Sequence, residues 1–228
     1  MLTRQDTEYL WESLTFLEHL TKEEQELILT HTTKKKIKKG TSIYNGNTEC
    51  VGVILIKSGV LRTFMMSEEG KDITLYRLRQ NDICILSASC LLKNITFDVF
   101  INAETDSELY IIPAPIFSKL MEHNIYVENF SYRLTIDKFS DVMWTMEQIL
   151  FMSFDKRLAV FLLDESNATH SDTLNLTHSQ IATYIGSARE VVSRMLKYFE
   201  EEGIVTLTRG GITLIDKPHL KRIVHNGQ

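Results

Sequence analysis

The chain has 228 residues, with 25 Lys+Arg against 30 Asp+Glu, a net charge of −5 and a hydrophobic content of 43%. These proportions, with only three prolines and ten glycines, exclude a disordered or low-complexity chain and fit one large or two ordinary globular domains. The N-terminal MLTRQDTEYL is charged and no apolar run approaches the roughly 20 residues a bilayer requires, so a soluble, cytoplasmic protein with no membrane partner is expected.

Residues 5–32 show helical patterns, carried by Tyr9, Leu10, Leu14, Phe16, Leu17, Leu20, Leu27 and Ile28, with Thr21-x-x-Glu24 as a capping box for the second helix. The basic run Lys34–Lys39 reads as a solvated edge strand, where lysines discourage edge-to-edge pairing. Short apolar segments punctuated by turn residues follow. They are Val51–Ile56, Val60–Met66, Ile73–Leu78, Ile83–Leu86, Phe97–Ala103 and Glu108–Ile112, with turns at Gly40, Asn45-Gly46, Ser58-Gly59 and Glu69-Gly70. That spacing predicts a β-roll or jelly roll.

Residues 124–151 predict one long helix. Ile125, Asn129, Tyr132, Ile136, Phe139, Met143, Met146 and Leu150 recur at steps of four and three, a seam held for nearly four heptads. This is the pattern of a parallel coiled-coil dimer, in which Asn129 would fix register at some cost in stability. A homodimer interface through Tyr132, Ile136, Phe139, Met143, Met146 and Leu150 is expected.

The C-terminal part starts with a helix from Asp155 to Asp164 and a polar loop at Asn167–Thr173. A short helix, Ser179 to Tyr184, breaks at Gly186, and a second runs from about Ser187 to Glu201. On that second helix Ala188, Val192, Met195, Leu196 and Phe199 form an apolar stripe, while Glu190, Ser193, Arg194 and Lys197 fall on the other face. Ile204–Leu207, an Arg209-Gly210-Gly211 turn and Ile212–Ile215 predict a hairpin, and Pro218–Val224 a closing helix. Together these make a winged helix-turn-helix, whose second helix can lie in a DNA major groove. Residues 152–228 carry nine Lys+Arg and nine Asp+Glu, so the net acidity lies outside this part.

The exposed face carries base-reading chemistry. Arg194 can donate twice to guanine O6 and N7, and Glu190 one turn earlier can accept from cytosine N4. Arg189 can reach a phosphate or a guanine, and Ser193 is small enough to approach a base edge. Thr177, His178 and Lys197 are candidate backbone contacts. A structural reading stands beside this one. Ser187-x-x-Glu190 is also a capping box, and Glu190 with Arg194 an i,i+4 pair.

The run Leu176-Thr177, Ala182, Ile185-Gly186, Arg189-Glu190, Val192-Ser193-Arg194, Leu196, Gly203-Ile204 and Ile215-Asp216 resembles the C-terminal signature of the Crp/Fnr family of bacterial transcription regulators. Lys57–Arg62 resembles that family's β-roll hairpin. The resemblance implies an α+β chain in three parts: a cyclic-nucleotide-binding-like β-roll at 1–123, a dimerisation helix at 124–151 and a winged helix-turn-helix at 152–228. It also implies regulation by an effector acting in the roll and RNA polymerase as a protein partner. Glu190, Ser193 and Arg194 resemble the reading face of the oxygen-sensor branch, which implies a double-stranded palindrome with TGA-like half-sites. A sensor or scaffold dimer that has lost sequence-specific DNA binding is the rival reading. No enzyme motif in a fitting context is present.

The effector is less legible. Where the resemblance implies a glycine–glutamate pair, near Ile85-Leu86, and an arginine, near Phe97, neither stands, and no arginine occurs between Arg79 and Arg133. A cyclic nucleotide is therefore not expected. Three cysteines do not make a disulfide framework, and an iron–sulfur cluster needs four thiolates. Haem or another small ligand stays open. Cys84, Ser87, Ser89, Cys90 and Asp98 occupy the family's pocket position. The thiols read as small buried hydrophobes, as a redox switch that would need an accessible low-pKa thiolate, or as part of a ligand pocket with the serines as donors.

Overall fold

The structure, a computed structural model, describes residues 2–45, 50–87 and 98–225. The chain divides into two compact units. One comprises residues 1–70 and 75–142, the other 71–74 and 143–228.

The first unit begins with α1 (Arg4–Ser13), a 3₁₀ turn (Thr15–His19) and α2 (Lys22–His31). Thr3 with Asp6 and Thr21 with Glu24 form reciprocal capping boxes, which satisfy the orphan N–H groups at each helix start. The strands follow as β1 (Thr33–Ile37), β2 (Ser42–Tyr44), β3 (Val53–Ser58), β4 (Leu61–Met66), β5 (Asp72–Leu78), β6 (Ile83–Cys84), β7 (Phe100–Ala103) and β8 (Ser107–Ile112). They build two four-stranded sheets, ordered β1-β8-β3-β6 and β2-β7-β4-β5. Among the described residues the lysine-rich β1 pairs only with β8 and is an edge strand, as expected. The expected turn residue Gly46 and strand start Phe97 lie outside the described residues.

The unbroken apolar run of β3 follows from its position. Ile54 and Ile56 face the space between the sheets with Leu109 and Ile111, whereas Val53 and Leu55 face the helices with Tyr110 and Ile112. A strand covered on both faces has no polar alternation to show. At Gly52, before β3, φ is +118° and an added Cβ would lie 2.0 Å from the Ile112 carbonyl oxygen. Only glycine fits there.

The chain continues through α3 (Ala114–His123), which the sequence reading did not assign, into α4 (Ile125–Phe151). At 1.5 Å per residue α4 is about 40 Å long. It carries two apolar stripes. Val127, Phe130 and Leu134 pack on the helix-side core, and Val142 on the core between the sheets. The other stripe is the predicted seam, and its side chains are open in the single chain: Ile136 is 62%, Phe139 63% and Leu150 63% exposed.

The second unit holds α5 (Phe154–Thr169), β9 (Thr173–Leu174), α6 (His178–Tyr184), α7 (Arg189–Glu201), β10 (Val205–Thr208), β11 (Gly211–Leu214) and α8 (Lys217–His225). α5 is longer than expected and absorbs the start of the predicted polar loop, ending in a left-handed cap at His170. The hairpin gains a third strand, in the order β10-β11-β9. One core, with Leu158, Leu162, Ile181, Val192, Leu196, Phe199, Ile212 and Leu220 among its members, holds the unit together. Among the described residues no helix is long and apolar enough to cross a membrane.

Candidate nucleic-acid interface

The helix-turn-helix is built by local rules. Thr177 caps α6, its hydroxyl accepting from the Gln180 N–H, while Gln180 Oε1 accepts from the Thr177 N–H at 2.9 Å. After α6, Gly186 has φ +62°, the left-handed conformation that a tight interhelical turn demands. The Ser187 N–H donates to the Ala182 carbonyl at 2.9 Å, and Arg157 Nη1 from α5 donates to the Ile185 carbonyl at 3.3 Å. The turn is therefore held from both sides.

α7 divides sharply. Val192, Leu196 and Phe199 have no exposed surface. Arg189, Glu190, Arg194 and Lys197 are exposed, and Met195 is half-buried. Two expectations need correction. Ala188 is not part of the buried stripe, because it is the exposed N-cap residue preceding the helix. The predicted Ser187–Glu190 capping box does not form, because Ala188 occupies the cap position and no side-chain cap bond is made.

Ser193 is half-buried, and its Oγ lies 2.8 Å from His178 Nδ1 on α6. Burial, then the nearby Arg189 cation, pushes the His178 pKa down. The wing is tied to α7 by the Leu207 N–H, which donates to Glu200 Oε1 at 2.9 Å. An open groove of about 330 Å³ runs between Thr177, His178 and Ser179, Arg189, and the wing residues Thr208, Gly210 and Gly211. Its meeting of wing and helix start was not visible in the residue pattern, although each part was.

The proposed effector residues are distributed differently. Cys84 is fully buried between the two sheets and carries a free thiol. Burial pushes that thiol's pKa up, so Cys84 is not the accessible low-pKa thiolate a redox switch requires. Ser87 is also fully buried, and its hydroxyl donates to the Gly52 carbonyl at 2.6 Å. The Val51 and Gly52 N–H groups in turn reach the Ser87 carbonyl. Ser87 thus ties two loops together. Asp98 is exposed, and Ser89 and Cys90 lie outside the described residues. Cys50, which the sequence reading did not single out, is disulfide-bonded. Ile85 and Leu86, near which the resemblance implies a glycine–glutamate pair, are buried apolar side chains. Among the described residues no group of three His, Cys, Asp or Glu is placed to hold a metal ion.

Comparison with known proteins agrees with this geometry. Residues 34–124 match the cyclic nucleotide-binding domain, and residues 156–223 match the Crp-like helix-turn-helix domain. The chain is similar to a Crp/Fnr-family transcriptional regulator of known crystal structure from Eubacterium rectale, with 45% identity and a TM-score of 0.89 over 94% of this chain and 99% of that one. It is 25% identical to the regulatory protein HlyX of Actinobacillus pleuropneumoniae, over 79% of this chain and 77% of HlyX. It is 24% identical to the fumarate and nitrate reduction regulatory protein of Yersinia pestis, over 85% and 79% of the two chains.

Proposed function

Because the chain belongs to the Crp/Fnr family of DNA-binding transcription regulators, which are not enzymes, we propose that it acts as a homodimer reading a palindrome with TGA-like half-sites through α7. Arg194 donates to guanine, Glu190 accepts from the cytosine amino group, and Arg189, Ser193 and Ser187 add contacts to the same half-site. Thr177, His178 and Lys197 flank the phosphates. The observation that carries this reading is the division of α7, with Arg189, Glu190, Arg194 and Lys197 exposed while Val192, Leu196 and Phe199 anchor the helix.

Dimerisation runs through the seam of α4, where Tyr132, Ile136, Phe139, Met143, Met146 and Leu150 are all exposed in the single chain. An apolar row of that length is covered when two such helices pair. A dimer also supplies the two recognition helices that a palindrome calls for, about 34 Å apart on one face of a duplex.

The effector is a ligand other than a cyclic nucleotide, with haem or another small molecule as the candidate classes. A cyclic phosphate calls for an arginine and a carboxylate for the ribose. The buried Ile85 and Leu86, and a Ser87 hydroxyl already used on Gly52, do not meet that need. Effector binding shifts a two-state equilibrium that α4 transmits, and RNA polymerase is the partner such a regulator recruits or blocks.

Selection from a random duplex pool, followed by gel shift at physiological salt, tests the proposal. Enrichment of a palindrome with half-sites one helical turn apart is expected. Salt-sensitive binding with no enriched sequence would overturn it in favour of a sensor or scaffold.

A further inference from the structure

We propose that His178 is a positioning residue for base readout: from α6 it sets the direction of the Ser193 hydroxyl on α7, so that Ser193 discriminates at the base pair it faces. This rests on the reading that α7 enters the major groove.

The two side chains are 15 residues apart in sequence and belong to different helices, yet His178 Nδ1 and Ser193 Oγ lie 2.8 Å apart. Both are half-buried, and both neighbour the exposed reading face. Ser193 precedes Arg194 directly and follows Glu190 by three residues, so it sits within the constellation of base-reading side chains. A serine hydroxyl has one proton and two lone pairs, and it rotates to suit its surroundings. Left alone it could present either to DNA and would favour neither a donor nor an acceptor on the base edge.

The imidazole ties that freedom to the state of its own Nδ1. If Ser193 donates to Nδ1, its oxygen presents lone pairs outward. If it accepts from Nδ1–H, its proton is turned outward instead. A neutral ring carries one N–H and permits one arrangement at a time. Burial and the Arg189 cation both favour the neutral ring. The backbone beneath Ser193 does not move to compensate, because the adjacent Val192 and the later Leu196 have no exposed surface. The hydroxyl direction is therefore coupled, through one side-chain contact, to which nitrogen of the imidazole carries the proton. A net hydrogen bond of ordinary strength corresponds to about a five-fold change in an equilibrium constant.

A double-mutant cycle decides the matter. Wild type, Ser193→Ala, His178→Phe and the double variant are titrated against the selected palindrome, against palindromes altered at the pair facing Ser193, and against non-specific duplex. Each single variant is expected to lower discrimination at that pair by about five-fold, and the double variant to lower it no further. Ser193→Ala should leave non-specific affinity as in the wild type, whereas loss of the His178 phosphate contact in His178→Phe lowers affinity for every duplex alike and cancels in the discrimination ratio; cooperative thermal unfolding of each variant shows that it is folded. His178→Gln, which keeps a hydrogen-bonding group beside Ser193, should recover part of the discrimination. Unchanged discrimination in His178→Phe, or a loss that adds to that of Ser193→Ala, would overturn the proposal and leave His178 a packing residue or a phosphate contact with no influence on Ser193. A wild-type chain that discriminates at no position would overturn both this inference and the DNA-reading function beneath it.

Discussion

Asp6 on α1 and Lys34 on β1 meet at 2.7 Å, and the same carboxylate oxygen accepts the Tyr110 hydroxyl at 2.5 Å. Asp6 is 4% exposed, and Lys34 also pairs with Glu108 at 2.9 Å. The Lys34 ammonium, then the Tyr110 hydroxyl, hold the Asp6 carboxyl well below the ordinary aspartate range. The two carboxylates hold Lys34 above its own ordinary range, and burial with the Asp6 charge pushes the Tyr110 phenol up to about 12. This cluster fastens the N-terminal helix to the sheet.

Lys34→Met should therefore destabilise the first unit at neutral pH. Breaking a buried ion pair costs roughly 3–5 kcal/mol, and because Lys34 is 36% exposed a loss of about 2 kcal/mol is expected. The sign with pH follows from Asp6. Its native carboxyl binds a proton less readily than the unfolded one, so its contribution is complete above the ordinary aspartate range and fades as the pH falls below about 4. Urea unfolding at pH 7 and at pH 3.5 should show the gap between wild type and variant narrowing at the lower pH.

Gly52→Ala places a methyl against a backbone oxygen that cannot move aside, at a φ that L residues rarely adopt. A loss of roughly 2–4 kcal/mol is expected. The corresponding change at Gly70, where nothing lies within 4 Å of an added Cβ, should cost only the strain of its positive φ. Denaturant midpoints of the two variants rank these costs, and equal losses would contradict the steric account.

Arg194→Ala should weaken binding to the selected palindrome by about 1–3 kcal/mol and relax preference at one base pair of each half-site. Uniform weakening on every sequence, with a smaller salt slope, would make Arg194 a phosphate contact instead. Competition titrations across single-substitution duplexes separate the two.

Ile136→Glu with Phe139→Glu puts two carboxylates on the open seam of α4, where both side chains are more than 60% exposed in the single chain. The prediction is a monomer with unchanged helical content and a palindrome affinity reduced to that of a half-site. Sedimentation equilibrium with circular dichroism checks it. A dimer that survives both changes would place the interface elsewhere.

Cys84 should resist iodoacetamide at pH 8 in the native protein and react once denaturant opens the roll. Its thiol is without exposed surface and its pKa is pushed up by burial, so thiolate and access are both lacking. Mass spectrometry of the labelled peptide reads the result directly. Rapid native alkylation would return Cys84 to the list of redox candidates.

The residue pattern alone settled the order of the parts: helices, short strands, one long helix and a winged helix-turn-helix. Periodicity carries that information, because a stripe at three- or four-residue spacing needs no knowledge of what covers it. It also separated Glu190 and Arg194 from Val192, Leu196 and Phe199, since opposite faces of one helix are a matter of spacing. It did not reveal β2 or β9, which at three and two residues are too short to show a period and exist only through pairing with distant strands. It misplaced the α7 cap by one residue, because a capping pattern is satisfied or not by backbone angles that sequence leaves open. On α4 it marked the stripe that is exposed in the single chain but not the second stripe of Val127, Phe130, Leu134 and Val142, which only the roll's position distinguishes. The contact of His178 with Ser193, and the fastening of Asp6 by Lys34 and Tyr110, arise between segments far apart in the chain. Such contacts depend on how elements pack, and no local pattern encodes them.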